Sequence, residues 1–419
     1  MKKLVEVILI ILLCVGCTTN KERVSTKEEV INNIISYDNN YDYNFLNYIY
    51  NNYGINTLEN INTSYKNNTY SYNVWHDLTG NSLKVLKDLS NNNLDNTKII
   101  DKKGDITLSF VGDISLADNF DIMPYYDSRN EGVYGILSKE VVDIMTSSDI
   151  MVANNEFTIS TRGTPLNKAY TFIADPKRLN IYKEMGVNLV SLANNHIYDY
   201  GIEAFNDTLK YLKEYDIPFV GAGQNISEAK KSFSFIVGGY KISFISSTRA
   251  EKNIITPGAT ETTPGVFRCY DNTLLKETIK EVKEKSDYVV LLIHWGKEDS
   301  HDIEDIIKET GKEYIDEGAD LIVGSHAHLL QGMEFYKNKL IAYNLGDFIF
   351  NRETKDTGIL SVTLNNSGNL TYKFIPCKQE DYKTSLLYNT EKERVLNNMN
   401  TYSINAILSS DGTITELTK

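Results

Sequence analysis

Cysteine is scarce: there are four in 419 residues. Two of them, Cys14 and Cys17, stand close to the N-terminus, so the body of the chain keeps only Cys269 and Cys377. No disulfide framework follows from so few. The remaining pair either bridges in an oxidising compartment or stays as two buried thiols, and spacing alone does not decide between them; no thiol chemistry is expected. Positive charge is in deficit as well, with 43 Lys and Arg against 56 Asp and Glu and a net charge of −13. A sequence-independent nucleic-acid binder needs the opposite surplus to neutralise phosphates, so nucleic acid is excluded as a partner. Long hydrophobic runs are missing too: Leu4 to Leu13, interrupted by Glu6, falls well short of the ~20 apolar residues that a spanning helix requires.

That short run has another reading. Lys2 and Lys3 precede it, and Cys14-Val15-Gly16-Cys17 follows it, which is the order of a secretory leader. A small residue before Cys17 suits a lipoprotein signal peptidase, making Cys17 the acylated first residue of an exported protein. The expected location is the extracytoplasmic face of the cell membrane, with a lipid as anchor. The competing reading is a plain signal peptide or an uncleaved anchor, since Glu6 and Cys14 depart from the usual pattern.

Four segments are expected: a leader over 1–16, an Asn- and Tyr-rich stretch over 17–104, a main domain over 105–380 and a C-terminal extension over 381–419. Within the Asn- and Tyr-rich stretch, Lys27 to Tyr37 and Ser82 to Leu89 carry apolar residues at helical spacing. It reads as a small helical appendage or as a partly disordered tether. From Thr107 short apolar strands alternate with amphipathic helices, the pattern of a largely parallel sheet covered by helices. Strands are predicted at 106–111, 150–153, 189–192, 219–220, 241–245, 288–293 and 321–323, with helices at 202–215 and 302–317. Alternating strands at 359–364 and 370–375 suggest a closing antiparallel layer.

Polar residues gather where these strands end, which is where open α/β sheets place their sites. Gly112-Asp113, Asn154-Asn155-Glu156, Asn194-Asn195-His196, His294-Trp295-Gly296 and Gly324-Ser325-His326-Ala327-His328 each follow a strand. Four of the chain's six histidines lie in these motifs. Carboxylates at Asp113 and Glu156, an amide oxygen at Asn195, and imidazoles at His294, His326 and His328 form a mixed oxygen and nitrogen donor set that suits a divalent Mn, Fe or Zn. His326 and His328 are two apart, so on an extended segment both rings face one cleft.

The order of these motifs, with Asp199-Tyr200-Gly201, Gly318-Ala319-Asp320 and Tyr343-Asn344-Leu345-Gly346-Asp347-Phe348, resembles the CapA/PgsA capsule-synthesis family from about Thr107 to Cys377. More remotely it is similar to the calcineurin-like metallophosphoesterases. The resemblance implies a metallophosphoesterase-like layered α/β sandwich beside the small helical appendage. It also implies Glu156 as a ligand bridging two ions, with Asp113 and His328 on one and Asn195, His294 and His326 on the other. His196 becomes a general acid, and Asp199 either orients its imidazole or caps the following helix. Relatives of the phosphoesterase kind carry a His where Ser115 stands, so one ion is as consistent as two. Family members often have Asn where Asp347 stands, and this extra charge reads either as part of the cleft or as a turn residue.

Lys168, Tyr170, Arg178 and Arg249 are candidates for contact with an anionic substrate, Tyr170 foremost. Glu298 and His301 either line the cleft or sit in a solvated loop, and His76 with Trp75 is expected to pack the appendage. Two functions remain open at this level. One is an accessory role in synthesis, export or retention of an anionic capsular polymer such as poly-γ-glutamate, beside other capsule synthesis and export proteins. The other is metal-dependent hydrolysis of a phosphoester or related bond.

Overall fold

The computed structural model describes residues 25–251 and 255–417. The expected leader with Cys14, and Cys17 as the expected lipid site, lie outside them. The chain divides into two compact units, one up to Asn91 and one from Asn92 onward. Among the described residues no helix is long and apolar enough to cross a membrane.

The first unit is a packed bundle of short helices, Lys27–Tyr37, Tyr43–Tyr53, Ile55–Lys66, Val74–Thr79 and Leu83–Asn91. Thr26 and Asp42 start the first two by accepting the amide hydrogens of Glu29 (3.2 Å) and Phe45 (2.8 Å), groups that lack partners inside a helix. Val30, Ile31 and Ile34, then Phe45, Leu46 and Ile49, then Leu58 and Ile61 recur at three- and four-residue spacing and are fully or nearly fully buried. They surround Trp75, whose indole N–H donates to Tyr70 Oη (3.0 Å) and Tyr41 Oη (3.2 Å). Residues 25–91 are therefore a folded unit with its own core; the asparagines lie mostly on its surface, whereas Tyr41 is buried and Tyr48, Tyr50, Tyr53, Tyr65 and Tyr70 pack against the core.

The second unit is built on two sheets. Among the described residues the first runs edge to edge through Thr97–Ile100, Phe233–Val237, Tyr240–Thr248, Tyr288–His294, Leu321–Ser325, Lys339–Leu345 and Leu330–Tyr336. The second runs through Ala406–Leu408, Thr413–Glu416, Leu370–Glu380, Lys355–Leu364, Ile106–Ile114, Ile150–Asn155, Leu189–Ser191 and Phe219–Val220, with Asp347–Ile349 beside Ile106–Ile114. In each sheet four consecutive strands are parallel. Antiparallel pairs flank these parallel runs, and at one edge Thr97–Ile100 pairs in parallel with Phe233–Val237.

The period-two alternation of a strand explains the layering. Val290 and Leu292 face Phe110, Val152 and Leu360 of the other sheet, in a core shared by both. Val289, Leu291 and Ile293 face the opposite way, onto Leu275 and Ile279 of helix Thr273–Lys285 and Tyr314 of helix Asp305–Asp316. On the far side of the second sheet, Met151, Ala153 and Val190 meet Val141 and Met145 of helix Lys139–Ser147 and Phe205 and Leu209 of helix Gly201–Glu214. The result is a mixed α/β sandwich of four layers, helix, sheet, sheet, helix.

Two domain limits move. Thr97–Ile100 pairs with Phe233–Val237, so the main unit begins near Asn92 and not at residue 105. The segment 381–419 is no appended tail in its described part: Thr413–Glu416 pairs with Leu370–Glu380, and Val395, Leu396 and Met399 fill the core between the sheets. Cys269 and Cys377 are both buried and free.

Candidate metal centre

The parallel strands deliver their C-terminal ends to one place. Asp113 is paired in register with Asn154 and with Asp347, and His294 with Ser325. Two glycines let the strands come this close. A Cβ on Gly112 would sit 1.9 Å from the Gly346 carbonyl oxygen, and one on Gly324 would sit 1.9 Å from that of Tyr343. The Gly346 carbonyl accepts from the Asp113 amide at 3.0 Å, tying the two loops that carry Asp113 and Asp347.

Two groups of donor atoms converge there, Glu156 with His294 and His326, and Asp113 with His328 and Asp347; in each group the ligand atoms lie within 4.8 Å of one another. Asn154 stands between them, its amide nitrogen donating to Asp113 Oδ1 (2.8 Å) and Glu156 Oε2 (2.8 Å). Asn194 holds Asn154 in turn, at 3.1 Å. His294 Nε2 is 2.7 Å from Asn195 Oδ1 and its Nδ1 is 2.8 Å from Ser325 Oγ. His328 Nδ1 bonds Asp347 Oδ1 at 2.7 Å and lies 3.8 Å from Asp113 Oδ2. Beside the first group, His196 directs Nε2 at Glu156 Oε1 (4.0 Å) and joins Nδ1 to Asp199 Oδ2 (2.7 Å).

Burial sets the protonation of these groups. It raises Glu156, helped by the nearby Asp113 carboxylate, and it raises Asp113. It lowers His294 well below the usual imidazole range and His326 to about 3, so both rings are neutral and keep a lone pair. Burial also lowers His196, against the pull of Asp199. At His328 burial opposes the charged ring, but Asp347 and Asp113 outweigh it and lift the group to about 9. Glu156 Oε1 and His326 Nδ1 are buried atoms that make no hydrogen bond among the described residues. Such atoms are costly unless something else satisfies them, and a carboxylate with neutral imidazoles is what a divalent ion requires. The residues present therefore fit a metal.

Asp113, Glu156, Asn195, His196, Asp199, His294, His326 and His328 are all brought to this cleft. His326 and His328 arrive by a route that spacing did not foretell. Strand Leu321–Ser325 has ended, and the two residues adopt φ of +101° and +57°, a conformation that costs a non-glycine residue about 1–3 kcal/mol. A turn, not extended backbone, puts their rings in one site. Asp199 is no helix cap: helix Gly201–Glu214 is preceded by Tyr200 at that position, and Asp199 instead accepts from His196, from the Phe172 amide (2.9 Å) and from Lys168 Nζ (2.9 Å).

Other candidates sort differently. Tyr170 is 64% exposed and its ring packs on Phe120, the outer member of an aromatic wall whose Phe172 and Phe350 rings lie against His196 (4.6 Å) and His328 (5.0 Å). Arg178 is locked to Asp118 and Asp127, and Arg249 donates to the Tyr270 carbonyl oxygen at 3.1 Å. His301 stacks on Tyr402, away from the donor groups, whereas Glu298 reaches to 3.8 Å from His326. Asp347, for which the sequence left open an extra charge of the cleft or a turn residue, is fully buried among the donors. Asn154 and Lys355 were missed as parts of the cleft. The signal for Asn154 was the polar Asn154-Asn155-Glu156 run; Lys355 gave none, because strand pairing alone carries it to Asp347.

Comparison with known proteins places the chain in a family. The chain is 30% identical over 277 residues to the PGA biosynthesis protein CapA of Bacillus subtilis (strain 168), covering 65% of this chain and 71% of that one. It is 29% identical over 302 residues to the capsule biosynthesis protein CapA of Bacillus anthracis, covering 69% and 72%. Among solved structures, TT1561 of Thermus thermophilus aligns with 64% of this chain and 98% of its own at 8% identity, with a TM-score of 0.34. The sequence model described as bacterial capsule synthesis protein PGA_cap matches residues 107–352, which include every donor named above. The chain belongs to the bacterial capsule synthesis protein family, PGA_cap.

Proposed function

We propose that this protein serves the synthesis, export or retention of an anionic capsular polymer of the poly-γ-glutamate kind. It does so at the extracytoplasmic face of the membrane, held by a lipid on Cys17 and acting through a cleft that binds a divalent cation. Family membership and the names of its relatives support the polymer. The single observation that carries the cleft is the pair of unpartnered buried atoms, Glu156 Oε1 and His326 Nδ1, beside the neutral ring of His294. Manganese, iron and zinc all suit the donors. A divalent ion supplies charge neutralisation and Lewis acidity to an anionic group, and a carboxylate-bearing polymer is a natural ligand for it. Asn195 completes the donor set, Asn154 fixes the two carboxylates, and Phe172 and Phe350 keep water from one side.

A second reading, hydrolysis of a phosphoester, is favoured by His196. Its ring is oriented by Asp199 and aimed into the cleft, the arrangement of a residue that delivers a proton to a leaving group. Both readings meet in one experiment: a strain lacking the gene is complemented with wild type, Glu156→Gln and His196→Asn. Surface polymer and turnover of a generic phosphodiester are then measured. The capsule reading expects Glu156→Gln to lower polymer strongly and His196→Asn modestly, with no turnover. Turnover that falls about 10²- to 10⁴-fold in His196→Asn supports the hydrolase instead. Unchanged polymer with Glu156→Gln refutes a cleft-based capsule role.

A further inference from the structure

The two donor groups are not equivalent. In the first, Glu156 Oε1 and His326 Nδ1 are without hydrogen bonds, and the ion-pair partners of Glu156 within 4.0 Å among the described residues are imidazoles, His196 and His294. Among the described residues no lysine or arginine lies within 4.0 Å of it. In the second, both oxygens of Asp347 are already engaged, Oδ1 by His328 Nδ1 at 2.7 Å and Oδ2 by the Lys355 ammonium at 2.9 Å. The Lys355 side chain is only 11% exposed. It opens strand Lys355–Leu364, which pairs with Ile106–Ile114, the strand that carries Asp113. Its ammonium is held further by Glu353 Oε2 at 3.1 Å.

We propose that this chain takes up a single divalent cation, at Glu156, His294 and His326, and that the Lys355 ammonium occupies the second cation's role beside Asp347. The inference rests on the metal-bearing cleft proposed above and adds its stoichiometry. A fixed ammonium supplies the positive charge that the Asp113 and Asp347 carboxylates demand, and it repels a divalent ion brought to the same oxygens. A structural cation of this kind is not exchanged and is not removed by chelators.

The test is calorimetric titration of the metal-free protein with Mn²⁺ and, separately, Zn²⁺, with elemental analysis after dialysis and circular dichroism to confirm folding. Wild type is expected to bind one ion per chain, and Lys355→Met two, its second site tightened by about 10²-fold or more. Lys355→Arg keeps the charge and should stay at one. In the wild-type background Asp347→Asn retains the ion and Glu156→Gln loses it, which decides the assignment even where Lys355→Met fails to fold. Two ions on wild type overturn the substitution and leave the cleft reading standing; no ion on wild type overturns both. One ion lost in Asp347→Asn but kept in Glu156→Gln, or one ion in folded Lys355→Met, also overturns the proposal.

Discussion

Lys168 tests how the His196 side of the cleft is held. Its ammonium contacts Asp199 Oδ1 (2.9 Å), Glu251 Oε1 (3.0 Å) and the Asn195 carbonyl oxygen, with the lysine side chain 8% exposed and that of Asp199 fully buried. Lys168→Met keeps the length and removes the charge. Asp199 is then left as a buried carboxylate short of a partner, an error that costs about 3–5 kcal/mol. For a large domain each kcal/mol moves Tm by roughly 2–4 °C, so a fall on the order of 10 °C is expected in thermal denaturation. A second readout separates this from simple loss of packing. Burial holds His196 low and Lys168 adds to that, so removing Lys168 must raise the titration of the His196 ring, followed by NMR of the imidazole. Adding Asp199→Asn removes the orphaned charge, and the double variant should be more stable than the sum of the single losses predicts. A Tm equal to wild type with His196 titrating unchanged refutes the reasoning, as does strict additivity.

Three further outcomes are expected, two from the structure and one from the proposed lipid anchor, the first being a pH dependence with two arms. Without metal, His294 and His326 favour their neutral forms in the folded state, so the unfolded chain binds more protons below the ordinary value of 6.5, down to about 3 for His326, and stability falls as pH drops through that window. Glu156 works in the other direction: its raised folded value makes stability fall as pH climbs above 4.5, and urea denaturation should show a divalent ion relieving this alkaline loss by replacing the proton. Gly112→Ala drives a methyl group into the Gly346 carbonyl oxygen at 1.9 Å and should cost about 3 kcal/mol or prevent folding, read from soluble yield and chemical denaturation. Cys17→Ser should release the protein from the membrane fraction, and mass analysis of the mature N-terminus should lose its lipid.

Much of the main unit was legible because its strands are short apolar runs ended by polar residues, as at Tyr288–His294 and Leu321–Ser325. The site was legible for the same reason, since strand ends in such a fold converge. Asp347 was only half legible: its place among the donors comes from the pairing of Asp347–Ile349 with Ile106–Ile114, a contact between segments far apart in the chain. Helices Tyr43–Tyr53 and Ile55–Lys66 were hidden by their Asn and Tyr content, although Phe45, Leu46, Ile49, Leu58 and Ile61 carry the buried stripe. The strands near the C-terminus were lost because strands of three and four residues carry too few alternations to reveal a period.

The central claim is that Glu156, His294 and His326 hold a divalent ion. Its most direct test is the metal content of purified, folded protein, measured by elemental analysis after loading and dialysis, for wild type, His294→Ala and His326→Ala. Bound metal in wild type and its loss in both variants is the result predicted, since each deletion removes a ligand from a small donor set. Wild-type protein that retains no manganese, iron or zinc, or variants that retain as much as wild type, would contradict it.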